Sequence, residues 1–244
     1  MKIYGLIGNP LGHSFSQKYF TEKFSRENIT GCEYQNFEIR DLQKEIYSLK
    51  NNPLISGLNV TIPYKSEIIP FLDSTSDVCK EINACNCIKI SNGKWLGFNT
   101  DVAGFRQTFI EHLKHHHNKA LVLGTGGSSK AVGYVLKGLG IDFLFVSRKG
   151  DDSSAVINYE SLSYQLMQEF TIVINTTPLG MFPNVNAYPQ IPYEYITRKH
   201  YFFDLIYNPA RTLFLSKAEA MGAVVENGEK MLAIQAEESW KIWS

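Results

Sequence analysis

Apolar runs broken by glycine and proline divide this chain into short buried elements. The clearest run, Ala120 to Leu123, is apolar throughout, as a strand covered on both faces must be. Gly124, Gly126 and Gly127 follow at once. Ala131, Val132, Val135, Leu136 and Leu139 then recur at helical spacing, Gly138 and Gly140 close that helix, and Phe143 to Val146 forms a second apolar run. Strand, glycine turn, helix and strand come in about the length that a βαβ crossover needs.

The pattern continues on both sides. Ile3 to Ile7 reads as a strand, Gly8 to Ser16 as a polar loop rich in turn formers, and Gln17 to Arg26 as a helix. Tyr34 to Ile39 is a strand, and Asp41 caps a helix running to Leu49. Ile55 to Ile62 is a strand, and Pro63 suits a first helical turn that Lys65 to Leu72 continues. Cys85 to Ile90 and Lys94 to Phe98 flank Asn92-Gly93, the strongest short hairpin signal. Asp101 to Lys114 forms a linking helix. Thr171 to Ile174 and Tyr201 to Ile206 are further buried strands, a helix ends over Ala218 to Gly222, Ala223 to Val225 is a short last strand, and Lys230 to Trp243 is a final helix. Alternating strands and helices, with no repeats, predict an α/β protein of two domains joined near residue 102.

Composition narrows the class. The 244 residues, 44% hydrophobic and 20% charged, suit two soluble domains of ordinary size. A net charge of zero argues against nucleic acid or an anionic membrane as the main partner. No apolar run approaches the roughly 20 residues of a membrane helix. Met1 to Gly8 is too short and glycine-broken for a signal peptide and is expected to be the first strand. Cys32, Cys79, Cys85 and Cys87 are expected to be reduced thiols of a cytoplasmic protein. Cys85 and Cys87 alternate on one expected strand and so share a face, a poor zinc spacing with no second pair. His112, His115, His116 and His117 are expected to be a solvated helix end, and no metal site is expected.

Two stretches carry candidate chemistry. Glycines let the backbone turn tightly and a ligand come close, and N–H groups at a helix start face an anion such as a pyrophosphate. In its strand–turn–helix context the glycine turn reads as a dinucleotide site, with Ser129 where the usual third glycine stands. NAD-binding proteins place an acid at the end of the second strand, about 20 residues on from the turn. Here Ser147-Arg148-Lys149 stands there, and the first acid is Asp151. Two cations suit a 2′-phosphate, so the reading is NADP. The second stretch puts Asn59, Thr61 and Lys65 where a strand ends, the usual place for ligands of open α/β sheets. Taken alone, such a lysine would be a surface residue, and Asn99-Thr100-Asp101 a helix cap.

Together these stretches resemble the shikimate dehydrogenase family. The resemblance covers nearly the full length: Gly8-Asn-Pro-Leu-Gly-His-Ser-Phe-Ser16, Asn59-Val-Thr-Ile-Pro-Tyr-Lys65, Asn86, Asn99-Thr-Asp101, the glycine turn, Ile174-Asn-Thr-Thr-Pro-Leu-Gly-Met181, Asp204-Leu-Ile-Tyr-Asn-Pro209 and Gly228-Glu-Lys-Met-Leu-Ala-Ile-Gln235. It implies NADPH-dependent, reversible reduction of 3-dehydroshikimate to shikimate, in aromatic amino-acid biosynthesis. It implies a substrate domain over 1–101, joined by the returning C-terminal helix 230–244, and a Rossmann-like NADP-binding domain over 102–229. Lys65 and Asp101 would form the catalytic pair, expected within hydrogen-bond reach of each other. Ser14 and Ser16 would hold the substrate carboxylate, and Thr61, Asn86, Tyr207 and Gln235 would contact the substrate. Gly124, Thr125, Gly126, Gly127, Ser128, Ser147, Arg148, Lys149, Thr177, Leu205 and Gly228 would line the NADP site. The only partner implied is the small-molecule substrate, with the chain a monomer or a homodimer.

The residues agree with that chemistry. Reduction of a ketone needs a donor beside the oxygen on which charge develops, and a lysine held by a carboxylate supplies one. The chain departs from the family at Gln17, where a proline is usual, at Asn83-Ala-Cys-Asn-Cys87 for Gly-Ala-Val-Asn-Thr, and at Ser147-Arg-Lys149 for Asn-Arg-Thr. It is also short for the family, with trimmed loops. The alternatives are a relative acting on quinate or another cyclitol acid, with NAD an option as its cofactor, and a nucleotide-binding sensor without catalysis. Arg148 and Lys149 weigh against NAD, and Lys65 with Asp101 weighs against the sensor. A folate-type dehydrogenase shares the two-domain layout, but the paired Ser14 and Ser16 favour a small hydroxy acid.

Overall fold

Strand β1 (Lys2–Gly8) is buried at six of its seven positions and forms the axis of the first sheet. Helix α1 (Phe15–Arg26) carries the chain over to β2 (Cys32–Glu38), and α2 (Leu42–Lys50) carries it on to β3 (Ile55–Val60). Both β2 and β3 pair with β1 in parallel, the geometry that helical crossovers produce. These coordinates are a computed structural model, and they describe residues 1–12, 15–149 and 155–244. Asp41 caps α2 by accepting from Lys44 N, as the sequence predicts. After β3 come the two-residue β4 (Ser74–Thr75), helix α3 (Asp77–Ile82), β5 (Cys87–Ser91) and β6 (Lys94–Phe98). The β5–β6 hairpin turns at Asn92 and Gly93, both at positive φ, as a type I′ turn requires. The strand order is β2-β1-β3-β5-β6-β4.

Alternation along β1 sends Ile3 and Ile7 to one core with Leu42, Ile46 and Leu49, and Tyr4 and Leu6 to another with Phe20, Phe24 and Trp243. Two expectations fail in this region, and one helix escapes the sequence reading. Residues 61–68 form successive turns and only Ile69–Phe71 is helical, as a 3₁₀ turn. The carbonyl of Lys65, which a helix would commit to residue 69, accepts from Cys85 N at 2.7 Å instead. Cys85 and Cys87 do not share a face: the chain bends at Asn86, so Cys85 enters the first core and Cys87 the second. Helix α3 was not legible either. Ser76 caps its start, and Asn83, at φ +50, ends it in the left-handed region where the family has glycine.

In the second half, α4 (Asp101–Phe109) leads to β7 (Lys119–Leu123), which has its last four residues buried. Helix α5 (Gly127–Gly138) and β8 (Asp142–Ser147) complete the unit read from the glycine turn. The end of α5 is a Schellman motif: Gly140 has φ +69, Gly140 N donates to Lys137 O, and Ile141 N to Leu136 O. Then follow β9 (Val156–Asn158), α6 (Tyr164–Glu169), β10 (Ile172–Asn175), β11 (Tyr201–Asp204), α7 (Leu213–Ala220), β12 (Val224–Glu226) and α8 (Glu229–Trp243). The second sheet is parallel throughout, in the order β12-β11-β10-β7-β8-β9. The chain leaves β7 in one direction for β8 and β9 and later in the other for β10, β11 and β12. That is the doubly wound Rossmann-like topology, with its switch point beside β7.

The histidine run is a solvated helix end only in part: His115 is exposed, but His117 is buried. His117 is 6% exposed; its Nε2 donates to Lys199 O at 2.9 Å and its Nδ1 accepts from Lys114 N at 3.1 Å. Both ring nitrogens are thereby committed in the neutral form, and burial lowers its pKa. His116 reaches the same Lys199 carbonyl, and His112 pairs with Glu226 at 3.0 Å. Among the described residues no three His, Cys, Asp or Glu side chains gather as a metal site, and no helix is long and apolar enough to cross a membrane.

The chain divides into two compact units, Met1–Asp101 with Gln235–Ser244, and Val102–Ile234. The second division falls inside α8, not before Lys230. That helix runs unbroken: Met231 belongs to the core of the second unit, and Ala236 and Trp243 to that of the first.

Candidate active site

In the first unit, polar side chains from four parts of the chain meet inside the fold. Lys65 Nζ donates to Asp101 Oδ2 at 2.7 Å, with the two side chains only 13% and 8% exposed. The other carboxylate oxygen, Oδ1, accepts from Asn86 Nδ2 at 2.9 Å. Thr100 N donates to Asn86 Oδ1 at 2.7 Å, so the Asn86 carbonyl must face Thr100 and its amide nitrogen must face Asp101. The remaining Asn86 donor lies 3.0 Å from Thr100 Oγ1 and 3.4 Å from Gln235 Oε1. Asp101 thus has both oxygens paired and one cation against it, an arrangement that holds the lysine in place.

Local structure sets these positions. Asp101 opens α4 immediately after β6 and Asn99-Thr100. The bend at Asn86 leaves its carbonyl to accept from Val60 N at 2.9 Å, beyond which the chain turns toward Lys65. The Lys65 backbone is held by Cys85 N, and Ser66 Oγ donates to Asn83 O, so the two loops are latched together. Asn83, the departure from the family's glycine, takes the required left-handed conformation in that latch.

Of the other substrate residues read from the sequence, Ser16 lies in the first turn of α1 and is 7% exposed. Ser14 lies outside the described residues. Thr61 follows β3 and donates its N–H to Ile7 O at 2.8 Å. Gln235, on α8, is 6% exposed and joins the Asn86–Thr100 group. Tyr207 belongs to the second unit, three residues beyond β11.

The candidate cofactor residues all lie in the second unit, after the carboxyl ends of β7, β8, β10 and β11 or at the start of α8. Gly124 has φ +107, and a Cβ there would sit 2.8 Å from Thr176 Oγ1, so the position needs glycine. Gly126 caps α5 without a side chain, which leaves the first turn of the helix open to an anion. Thr125 lies in the loop before that cap and Ser128 in the first turn. Ser129, in place of a third glycine, is 1% exposed and donates to Gly126 O at 2.6 Å. Ser147 ends β8, and Arg148 and Lys149 follow it exposed.

At the next strand end, Asn175 Oδ1 accepts from Thr177 N and Oγ1, and Asn175 Nδ2 donates to Asp204 Oδ1 at 3.0 Å. Asp204 also accepts from Ile206 N and from Thr212 Oγ1, and it is fully buried. Burial pushes its carboxyl up to about 7, against the three donors that pull it down. Gly228 lies so close to Leu205 that any Cβ would overlap the Leu205 carbonyl. These loops fit a dinucleotide: glycines clear the approach, a helix start faces the turn, and two cations stand at the β8 end.

Sequence reading missed Tyr34, Thr100 and Ser239 as parts of the first site. Ser239 Oγ accepts from Asn59 Nδ2 at 2.9 Å and donates to Gln235 O. The one sequence signal is that Gln235 and Ser239 stand four apart on the face of α8 that also carries buried Ala236 and Trp243.

Similarity to known proteins agrees with this geometry. The profile of the shikimate dehydrogenase substrate binding domain matches residues 6–88. A shikimate dehydrogenase (NADP(+)) of Clostridium beijerinckii is 39% identical over 252 residues, covering 99% of this chain and 92% of that protein. Its counterpart in Methanococcus vannielii is 34% identical, covering 99% of this chain and 91% of that protein. Among solved structures, the shikimate 5-dehydrogenase of Thermus thermophilus in complex with NADP(H) and shikimate is 26% identical, with a TM-score of 0.86 over 100% of this chain and 94% of that one. The chain belongs to the shikimate dehydrogenase family.

Proposed function

We propose that this protein catalyses the reversible, NADPH-dependent reduction of 3-dehydroshikimate to shikimate, with Lys65 and Asp101 as its catalytic pair. The observation that carries the reading is the buried 2.7 Å contact between Lys65 Nζ and Asp101 Oδ2. When bound, the nicotinamide supplies the hydride. As hydride arrives, negative charge grows on the substrate's carbonyl oxygen. Lys65 stabilises that charge and delivers a proton to the oxygen. Asp101 holds the ammonium in place through Oδ2, while Asn86 fixes the carboxylate through Oδ1. Ser14 and Ser16 hold the substrate carboxylate, and Thr61, Asn86, Tyr207 and Gln235 take its ring hydroxyls, each a neutral polar group suited to a hydroxyl-rich ligand.

The glycine turn from Gly124 to Ser128, with Thr177, Leu205 and Gly228, holds the NADP pyrophosphate and nicotinamide end. Ser147, Arg148 and Lys149 take the 2′-phosphate. The four cysteines are free thiols, which suits a reducing compartment, and the cytoplasm is the proposed location.

Lys65→Met tests the pair. Turnover of shikimate with NADP should fall by about 10²–10⁴-fold, while shikimate binding measured by calorimetry changes far less. Wild-type kcat in that variant would remove Lys65 from the chemistry.

A further inference from the structure

Behind the catalytic pair the same network continues to residues that touch neither Lys65 nor Asp101. Tyr34 is 4% exposed, and its ring stacks on Phe20 at 4.6 Å. Its hydroxyl donates to Asn59 Oδ1 at 2.9 Å. That bond fixes the orientation of Asn59, so the Asn59 amide faces the other way. There Nδ2 donates to Ser239 Oγ at 2.9 Å and to the Asn86 carbonyl at 3.2 Å. Asn59 is 3% exposed and Ser239 fully buried, so neither has water to fall back on. The Asn86 side chain then reaches Asp101 Oδ1 at 2.9 Å. At the opposite end, the Tyr34 hydroxyl lies near Ser16.

We propose that Tyr34, acting through Asn59, is a positioning residue of the catalytic pair: it fixes the Asn86 backbone and amide, which in turn hold Asp101 and Lys65 in register. The proposal rests on the catalytic role given above to Lys65 and Asp101. Ser16, a proposed carboxylate anchor, lies near the far end of this chain. Stabilising the fold alone would not require this chain to end on the carboxylate of the reacting pair.

Tyr34→Phe keeps the ring and its stacking on Phe20 and removes a single oxygen. The buried Asn59 Oδ1 then loses its donor, and the amide is free to turn over. A crystal structure of this variant should show Asn59 rotated and the contact from Asn86 Nδ2 to Asp101 Oδ1 lengthened or lost. With shikimate and NADP, kcat should fall roughly tenfold, as small misplacements of catalytic groups do. The KM for NADP should be unchanged. Asn59→Ala should reproduce the kcat loss, and the double variant should add little to it. An Asn86–Asp101 contact unchanged in Tyr34→Phe overturns the proposal whatever the activity. So does a wild-type kcat per folded molecule, or a loss confined to the KM for shikimate. If wild-type protein fails to oxidise shikimate, the functional reading fails, and the crystal structure still decides this one.

Discussion

The two units build their sites from different materials. The first converges side chains of Lys65, Asn86, Thr100, Asp101 and Gln235, of which Asn86 and Gln235 alone stand 149 residues apart in sequence, around one buried carboxylate. The second uses mainly backbone: a glycine at φ +107, a helix start capped by Gly126, and Gly228 pressed against the Leu205 carbonyl. Chemistry that needs a proton at a stated atom calls for ionisable side chains, whereas holding a pyrophosphate needs N–H groups and clearance. It follows that damage to the first site should appear in turnover and damage to the second in cofactor affinity.

The strongest way to break that division is Asp101→Asn. It keeps the shape and removes the charge that anchors Lys65, so kcat should fall about 10²-fold with NADP affinity unchanged in a fluorescence titration. Loss of cofactor affinity in this variant would show that the two sites are not separable. Gly124→Ala is the reverse case. Its Cβ would press on Thr176 Oγ1 in a backbone region costly to residues other than glycine, so NADP should bind about tenfold more weakly. At saturating cofactor, kcat should hold. Arg148→Ala is expected to do less: the KM for NADP rises up to about fivefold, since an exposed ion pair is worth up to about 1 kcal/mol, and NAD use stays as it was. Equal loss with both cofactors would make Arg148 a structural residue.

The smallest expected effect is on stability, and it sharpens the contrast between the two carboxylates. Asp101 is paired with a cation, whereas the donors to Asp204 among the described residues are neutral. Burial raises the Asp204 carboxyl to about 7 from an ordinary value near 4. The folded chain therefore keeps a proton that the unfolded chain releases. The stability this contributes is complete below about pH 4 and is lost as pH rises through about 7. In Asp204→Asn the thermal midpoint should fall less than in wild type between those two values. Parallel curves would show that folding does not raise the Asp204 carboxyl.

What could be read from the sequence follows the same line. The second unit was legible because its information is local: β7, the glycine turn, α5 and β8 lie within 29 consecutive residues, Lys119–Ser147. The hairpin at Asn92-Gly93 and the Asp41 cap were legible for the same reason. The turn at residues 61–68 was not, because the Cys85 N–H that captures the Lys65 carbonyl comes from 20 residues away. The opposed faces of Cys85 and Cys87 depend on a bend at Asn86 that follows from hydrogen bonds to Val60 and Thr100. Tyr34 and Ser239 look like ordinary core and helix positions, and only the fold brings Asn59 against both. Lys65 and Asp101 were identified through the family resemblance, since neither stands out locally from a surface lysine or a helix cap.

The most direct measurement is the initial rate of 3-dehydroshikimate reduction by the wild-type chain, followed by loss of nicotinamide absorbance with NADPH and, separately, with NADPH replaced by NADH. The account predicts rapid turnover with NADPH and a much lower kcat/KM with NADH, the difference set by Arg148 and Lys149. Absence of turnover with either cofactor, or equal kcat/KM with both, would contradict it.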